Sequence, residues 1–214
     1  MREGVAVDHP ALDWDGGSLV VAADGSILVS AAPGILRYSE SSGAPLVELF
    51  ESRTFGSGRT IDSVDHMVID RSGTVYSIGN AGRIHALRAD GRYEGVLIEQ
   101  GDSLLEGAPV DCPDPACARV GTLLDLTLDP EGNVCFLEST ATLERRVRCI
   151  RDGAVFTVAG VRGDGRDIRT AGAFIPRDRD GYATRFALTN IVGAEFSPDG
   201  RLYLLDGGNA GRPR

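Results

Sequence analysis

The chain has no lysine: its 22 basic residues are all arginine, set against 31 acidic ones, for a formal charge of -9. A phosphate backbone is bound through clustered Lys and Arg, so an acidic chain of this kind is not expected to bind nucleic acid. The exclusive use of arginine reads as the coding bias of a GC-rich genome and points to no ligand. No apolar run approaches the length of about 18 residues that a spanning helix needs, so no membrane span is expected. The start, Met1-Arg-Glu-Gly-Val-Ala-Val-Asp8, lacks the basic region and apolar middle of a signal peptide. If the intact protein is exported, its signal is expected outside this chain. No G-x-S-x-G elbow, phosphate loop or H-E-x-x-H motif occurs. There is one tryptophan, Trp14, which reads as a packing or rim residue. Histidine is limited to His9, His66 and His85.

Cysteine is also sparse, at four residues. Cys112 and Cys117 flank a Pro-rich connection where a loop disulfide is sterically easy. Cys135 and Cys149 fall on consecutive expected strands, and a hairpin centred near residue 142 would set them opposite each other. Two such pairs lean toward disulfides and an extracytoplasmic or secreted location, with half-buried free thiols as the alternative. Zinc is disfavoured, because the spacing is not C-x2-C and no histidine accompanies either pair.

Glycine is abundant, with 28 residues, about twice the usual share of roughly 7%. Four of these glycines sit at the same point of one pattern, in which an apolar strand, a tight turn and a second apolar strand follow one another. The turns are Asp24-Gly25, Ser72-Gly73, Glu131-Gly132 and Asp199-Gly200. Four positions before the glycine stand Val21, Ile69, Leu128 and Phe196; two after it stand Ile27, Val75, Val134 and Leu202. A hairpin cannot bury its apolar face alone, so repeated copies must stack. Further strand-like segments follow each turn, several joined by Asp-Gly, a strong hairpin signal. Each unit therefore reads as four short antiparallel strands.

That is the description of a β-propeller blade. The expected fold class is all-β, a single propeller segment over 1–214 with units at 17–50, 63–98, 123–158 and 191–214. Insertions at 101–120 and 160–188 fall between units and are expected on one rim, as solvated loops or as surfaces for a protein or small ligand. No amphipathic helix competes with this reading.

The order Gly153-Ala-Val-Phe-Thr-Val-Ala-Gly160, then Asp180-Gly-Tyr-Ala-Thr-Arg-Phe186, then Phe196-Ser-Pro-Asp-Gly-Arg-Leu-Tyr-Leu-Leu-Asp206 resembles NHL repeats, particularly the teneurin-like bacterial variety. Gly79-Asn-Ala-Gly-Arg83 recurs as Gly208-Asn-Ala-Gly-Arg212. The resemblance implies a six-bladed NHL or TolB-like ring, mostly non-enzymatic, of a class that binds protein, nucleic acid or other chains. It also implies that Asp24, Gly25, Gly73, Asn80, Gly132, Asp199, Gly200 and Asn209 are turn residues. The first unit has Ala31-Ala-Pro-Gly34 and the third Glu138-Ser-Thr-Ala141 where the family carries its Asn, and Pro213 stands where a strand residue is expected.

Six blades would need roughly 270 to 300 residues, more than this chain's three and a half units supply. The chain is therefore expected to be a fragment of a longer protein or an incomplete gene product. A homodimer pooling its blades into one ring is the alternative.

Two places could carry chemistry. Related six-bladed rings include metal-dependent lyases and lactonases with ligands at the central channel, and here His66 with Asp65 stands at the innermost strand of the second unit. Asp125 and Glu195 hold comparable places later. Counted back from the turn glycines, Asp65 lies eight positions away, His66 and Asp125 seven and Glu195 five, which does not support one ring of ligands. Asp178-Arg-Asp-Gly181 has the alternating acids of a calcium loop, but the next acid, Glu195, is too distant to close it. Asp178 and Asp180 therefore read as a solvated turn, with calcium as the alternative. No cofactor is expected otherwise. The leading function is a non-enzymatic scaffold or interaction module; the alternative is part of a metal-dependent propeller lyase or lactonase.

Overall fold

In a computed structural model of the chain, residues 17–31, 34–38, 48–51, 64–79, 82–88, 93–99, 120–140, 144–160, 183–185 and 188–207 are described. Cys112, Cys117, Asp178, Asp180, Asn80, Asn209, Trp14 and most of the two insertions lie outside them.

Among the described residues the regular structure is almost entirely β. The first sheet runs β1 (Leu19–Val21), β2 (Ile27–Ala31), β3 (Gly34–Tyr38) and β4 (Glu48–Glu51), each antiparallel to the last. The second repeats the order with β5 (Val64–Ile69), β6 (Val75–Gly79), β7 (Arg83–Leu87) and β8 (Tyr93–Glu99). The third does so with β9 (Thr122–Leu128), β10 (Val134–Ser139), β11 (Glu144–Arg151) and β12 (Ala154–Ala159). A 3₁₀ turn at Ala183–Arg185 and the short β13 (Leu188–Thr189) lead into a final hairpin, β14 (Ile191–Phe196) and β15 (Leu202–Asp206).

The four β-turns that open the sheets share one construction. The glycine N–H donates to the carbonyl three residues back, in Gly25 to Ala22, Gly73 to Asp70, Gly132 to Asp129 and Gly200 to Ser197. Each glycine is left-handed, with φ of 82, 86, 90 and 85°. This is the type I turn with a glycine bulge, a conformation that a Cβ would strain. The residue that starts the turn supplies the polar bracing. Asp70 Oδ1 accepts from Ser72 N and Thr74 N, and Asp129 Oδ1 accepts from Asn133 N. In the first turn that position is Ala22, and Asp24 takes over by accepting from Ser26 N at 2.9 Å.

The sheets stack face to face through three apolar layers. Leu28 and Ile35 of the first sheet meet Met67, Val75 and Leu87 of the second. Ile78, Ile84 and Ile98 then meet Leu126, Val134 and Phe136 of the third. Leu137, Val147 and Ala159 meet Ile191 and Ala194 of the last hairpin. Each Val, Leu, Ile, Met or Phe among them contributes about 1.5 to 3 kcal/mol when fully buried. The leading strands β1, β5, β9 and β14 contact one another in sequence, so they form the inner edge of the stack.

Two features depart from a plain repeat. Leu188, at the end of the second insertion, is buried, and β13 pairs with Glu144 and Arg145 in line with β12. The insertion thus ends as part of the third sheet. Cys135 and Cys149 are directly opposed on β10 and β11 and form a disulfide with Cα atoms 4.0 Å apart. No described helix is long and apolar enough to cross a membrane.

Candidate inner-edge site

Three leading strands carry a bulge at the same place. In β5 the register shifts between Val64 and His66, in β14 between Ile191 and Gly193, and β9 skips Leu124 opposite Leu137 and Glu138. A bulge leaves one residue unpaired and re-aims the next. Asp65 is the skipped residue in β5, so His66, Asp125 and Gly193 become structural equivalents, each seven positions before its turn glycine. Ser18 holds that position in the first sheet.

These equivalents link neighbouring sheets. Ser18 Oγ accepts from Met67 N at 3.0 Å. His66 Nδ1 lies 3.2 Å from Asp125 Oδ1. Asp125 Oδ2 accepts from Ala194 N at 3.0 Å, while its Oδ1 accepts from Leu126 N at 2.9 Å. The next layer toward the turns repeats the scheme: Phe196 N donates to Thr127 Oγ1 at 3.3 Å, and Thr127 Oγ1 donates to Glu195 Oε2 at 3.2 Å. The four candidate residues thus fall into two layers plus the exposed Asp65. His66 and Asp125 meet directly; Glu195 is joined to Thr127 instead.

The hydrogen bond to Asp125 raises the His66 pKa, burial opposes it, and the charges of Asp125 and Asp65 add to the rise. In this pair His66 Nδ1–H donates to Asp125. Both Asp125 oxygens accept from N–H donors. Among the described residues no three inner-edge His, Asp or Glu side chains bring ligand atoms within 4.8 Å of one another. The single grouping that meets that distance is Asp129 with Cys135 and Cys149, whose sulfurs are bonded to each other.

A second polar group was not legible in the sequence. Glu138, Arg146 and Arg148 project from the third sheet toward the second and are 0%, 2% and 0% exposed. Glu138 Oε2 accepts from Gly121 N at 2.8 Å, and Arg148 Nη1 lies 3.5 Å from Glu138 Oε1. Burial raises the Glu138 pKa, opposed by the Arg148 charge, the Gly121 N–H and the Arg146 charge. The hint was three charged residues in the middle of apolar strands.

No family model matches the chain, and no curated protein matches it in sequence. Solved structures do. A protein of unknown function from Bacteroides thetaiotaomicron superimposes with a TM-score of 0.60 at 12% identity, over 88% of this chain and 44% of that one. An auxiliary nutrient binding protein from the same organism gives 0.55 at 15% identity, over 88% and 44%. Virginiamycin B lyase from Staphylococcus aureus gives 0.52 at 14% identity, over 91% and 51%. The fold is that of a β-propeller. The chain spans about half the length of the propellers it matches, and identities this low carry the fold alone.

Proposed function

We propose that this β-propeller chain is a non-enzymatic scaffold or interaction module, of the NHL-repeat kind, that presents its rim loops to a protein or small ligand. The observation that carries this reading is the commitment of the inner edge to holding sheets together. Asp125 accepts from Ala194 N of the next sheet and from its own neighbour Leu126, and it also holds His66 of the preceding sheet. Groups spent in this way are braces between strands. The paired Cys135 and Cys149 support an extracytoplasmic setting, and a likeness to nutrient binding proteins is compatible with a binding role.

The alternative, part of a metal-dependent lyase or lactonase, rests on the inner-edge acids and His66, and on the lyase among the similar folds. Metal analysis of the purified chain after incubation with calcium, magnesium and zinc separates the two. The binding-module reading expects substoichiometric metal in the wild type and in His66→Ala alike. One metal per chain, lost in His66→Ala, would overturn it. Calorimetry with calcium alone tests Asp178 and Asp180 in the same preparation.

A further inference from the structure

At the rim bearing the Gly25 and Gly73 turns, an open cleft of about 200 Å³ separates the first and second sheets. Its floor is apolar, formed by Leu28, Ile35, Val75 and Leu87, each at most 6% exposed. Its lip carries three guanidinium groups, Arg37, Arg71 and Arg88, and one carboxylate, Asp24. This is a concentration of positive charge in a chain whose net charge is -9.

The three arginines are not equivalent. Arg37 is neutralised by Asp24, whose carboxyl is held down at about 2, chiefly by the Ser26 hydroxyl and N–H. Arg88 is paired with Glu94. Arg71, exposed, meets the Pro130 carbonyl oxygen at 3.5 Å. Among the described residues, Arg71 is the lip guanidinium that no carboxylate holds.

We propose that this cleft is a binding site for a small amphiphilic carboxylate, with its apolar tail on the Leu28–Leu87 floor and its carboxylate on Arg71. A guanidinium fork matches a carboxylate in shape and charge, and a mostly apolar pocket with a few convergent polar groups is the usual form of a small-molecule site. The site is independent of the inner-edge residues. It stands or falls separately from the reading above.

The probe is sodium octanoate, followed by isothermal titration calorimetry with the intact chain. Acetate, which lacks the tail, and 1-octanol, which lacks the charge, serve as comparisons. Octanoate is expected to bind at least tenfold more tightly than either. Arg71→Gln is expected to weaken octanoate at least tenfold while leaving octanol unchanged. Ala23→Trp, an exposed lip position placed to plug the cleft, is expected to weaken both. Both substitutions are at exposed positions, so circular dichroism should show an unchanged sheet signal. No heat with octanoate, octanol binding as tightly as octanoate, or wild-type affinity in either variant would each overturn the proposal.

Discussion

Replacing Asp125 with Asn removes a charge from the inner edge while keeping the size of the side chain. Asp125 receives three donors: Ala194 N at 3.0 Å, Leu126 N at 2.9 Å and His66 Nδ1 at 3.2 Å. An Asn has one carbonyl oxygen, so its amide must turn a donor toward at least one of them. The unmet partner costs about 1 to 3 kcal/mol where it is buried. The loss has a pH signature. The folded pKa of His66 lies above its ordinary value, and its first cause is the bond to Asp125. Such a group stabilises the fold fully below its unfolded pKa, near 6.5, and the contribution disappears as pH rises through the folded pKa. With the His66 side chain 43% exposed, solvent screening holds this part to at most about 1 kcal/mol. Asp125→Asn should therefore cost more stability at pH 5.5 than at pH 8.5. Urea unfolding at the two values measures the difference, and the His66 Cε1–H shift followed by NMR should show its pKa falling in the variant. An unchanged His66 titration, or an equal cost at both pH values, would refute the role assigned to the pair.

Other outcomes follow from the sheets themselves. Reducing Cys135–Cys149, or replacing both with Ala, frees a loop closed over a separation of 14 residues and should lower unfolding free energy by about 3 kcal/mol on the chain-entropy account; denaturation with and without reductant reports it. Gly132→Ala meets nothing within 4 Å but must hold φ near 90°, so it should cost about 1 to 2 kcal/mol. Gly121→Ala would set its Cβ 2.1 Å from the Ser139 carbonyl oxygen and should cost about 3 kcal/mol or abolish folding; expression and thermal melts rank the two. Asp70 is raised by burial but lowered further by the Ser72 hydroxyl, Thr74 N and Tyr76 hydroxyl. Its stabilisation is present above the unfolded pKa of about 3.9 and is lost on acidification through the lower folded value, so Asp70→Ala should cost about 1 kcal/mol at pH 7 and less at pH 3.

The repeat was legible because it is written in residues that local geometry demands: a left-handed glycine and apolar positions at fixed distances on either side. Stacked antiparallel sheets followed from that phase. The inner edge was harder to read because a bulge changes the phase without changing the composition. Counting in sequence treats Asp65 and His66 as equal candidates, whereas the register shift skips Asp65 and delivers His66 to Asp125. Glu195 was grouped with them by sequence but belongs to the layer of Thr127. The acids that begin two of the turns, Asp70 and Asp129, were not legible because that position is not constant: it is Ala22 and Ser197 in the other two. Leu188 closes the second insertion in sequence, and the pairing of Leu188 and Thr189 with Arg145 and Glu144 depends on tertiary proximity.

The same alignment explains the exposed apolar residues. Val75 and Val134, two positions after their turn glycines, are 4% and 5% exposed because each lies under the preceding sheet, and Leu202 packs in the third layer. Ile27 occupies that position in the first sheet and is 39% exposed, beside Leu19 and Val21. On the opposite end of the stack Tyr203 and Leu205 are 57% and 64% exposed. These two faces have the character of an inter-sheet layer cut open, so the isolated chain should associate through them. If two copies close on each other, each face is covered by the other copy and one discrete dimer results; open head-to-tail contact instead gives a ladder of species. Sedimentation velocity across a concentration series distinguishes these. Losing one buried Leu or Tyr contact costs about 1.5 to 3 kcal/mol, so Tyr203→Asp with Leu205→Asp should weaken association by at least about tenfold in either case. A wild-type chain that stays monomeric at high micromolar concentration, or a double variant that associates as well as wild type, would show that these faces are not the inter-sheet surfaces their positions in the repeat make them.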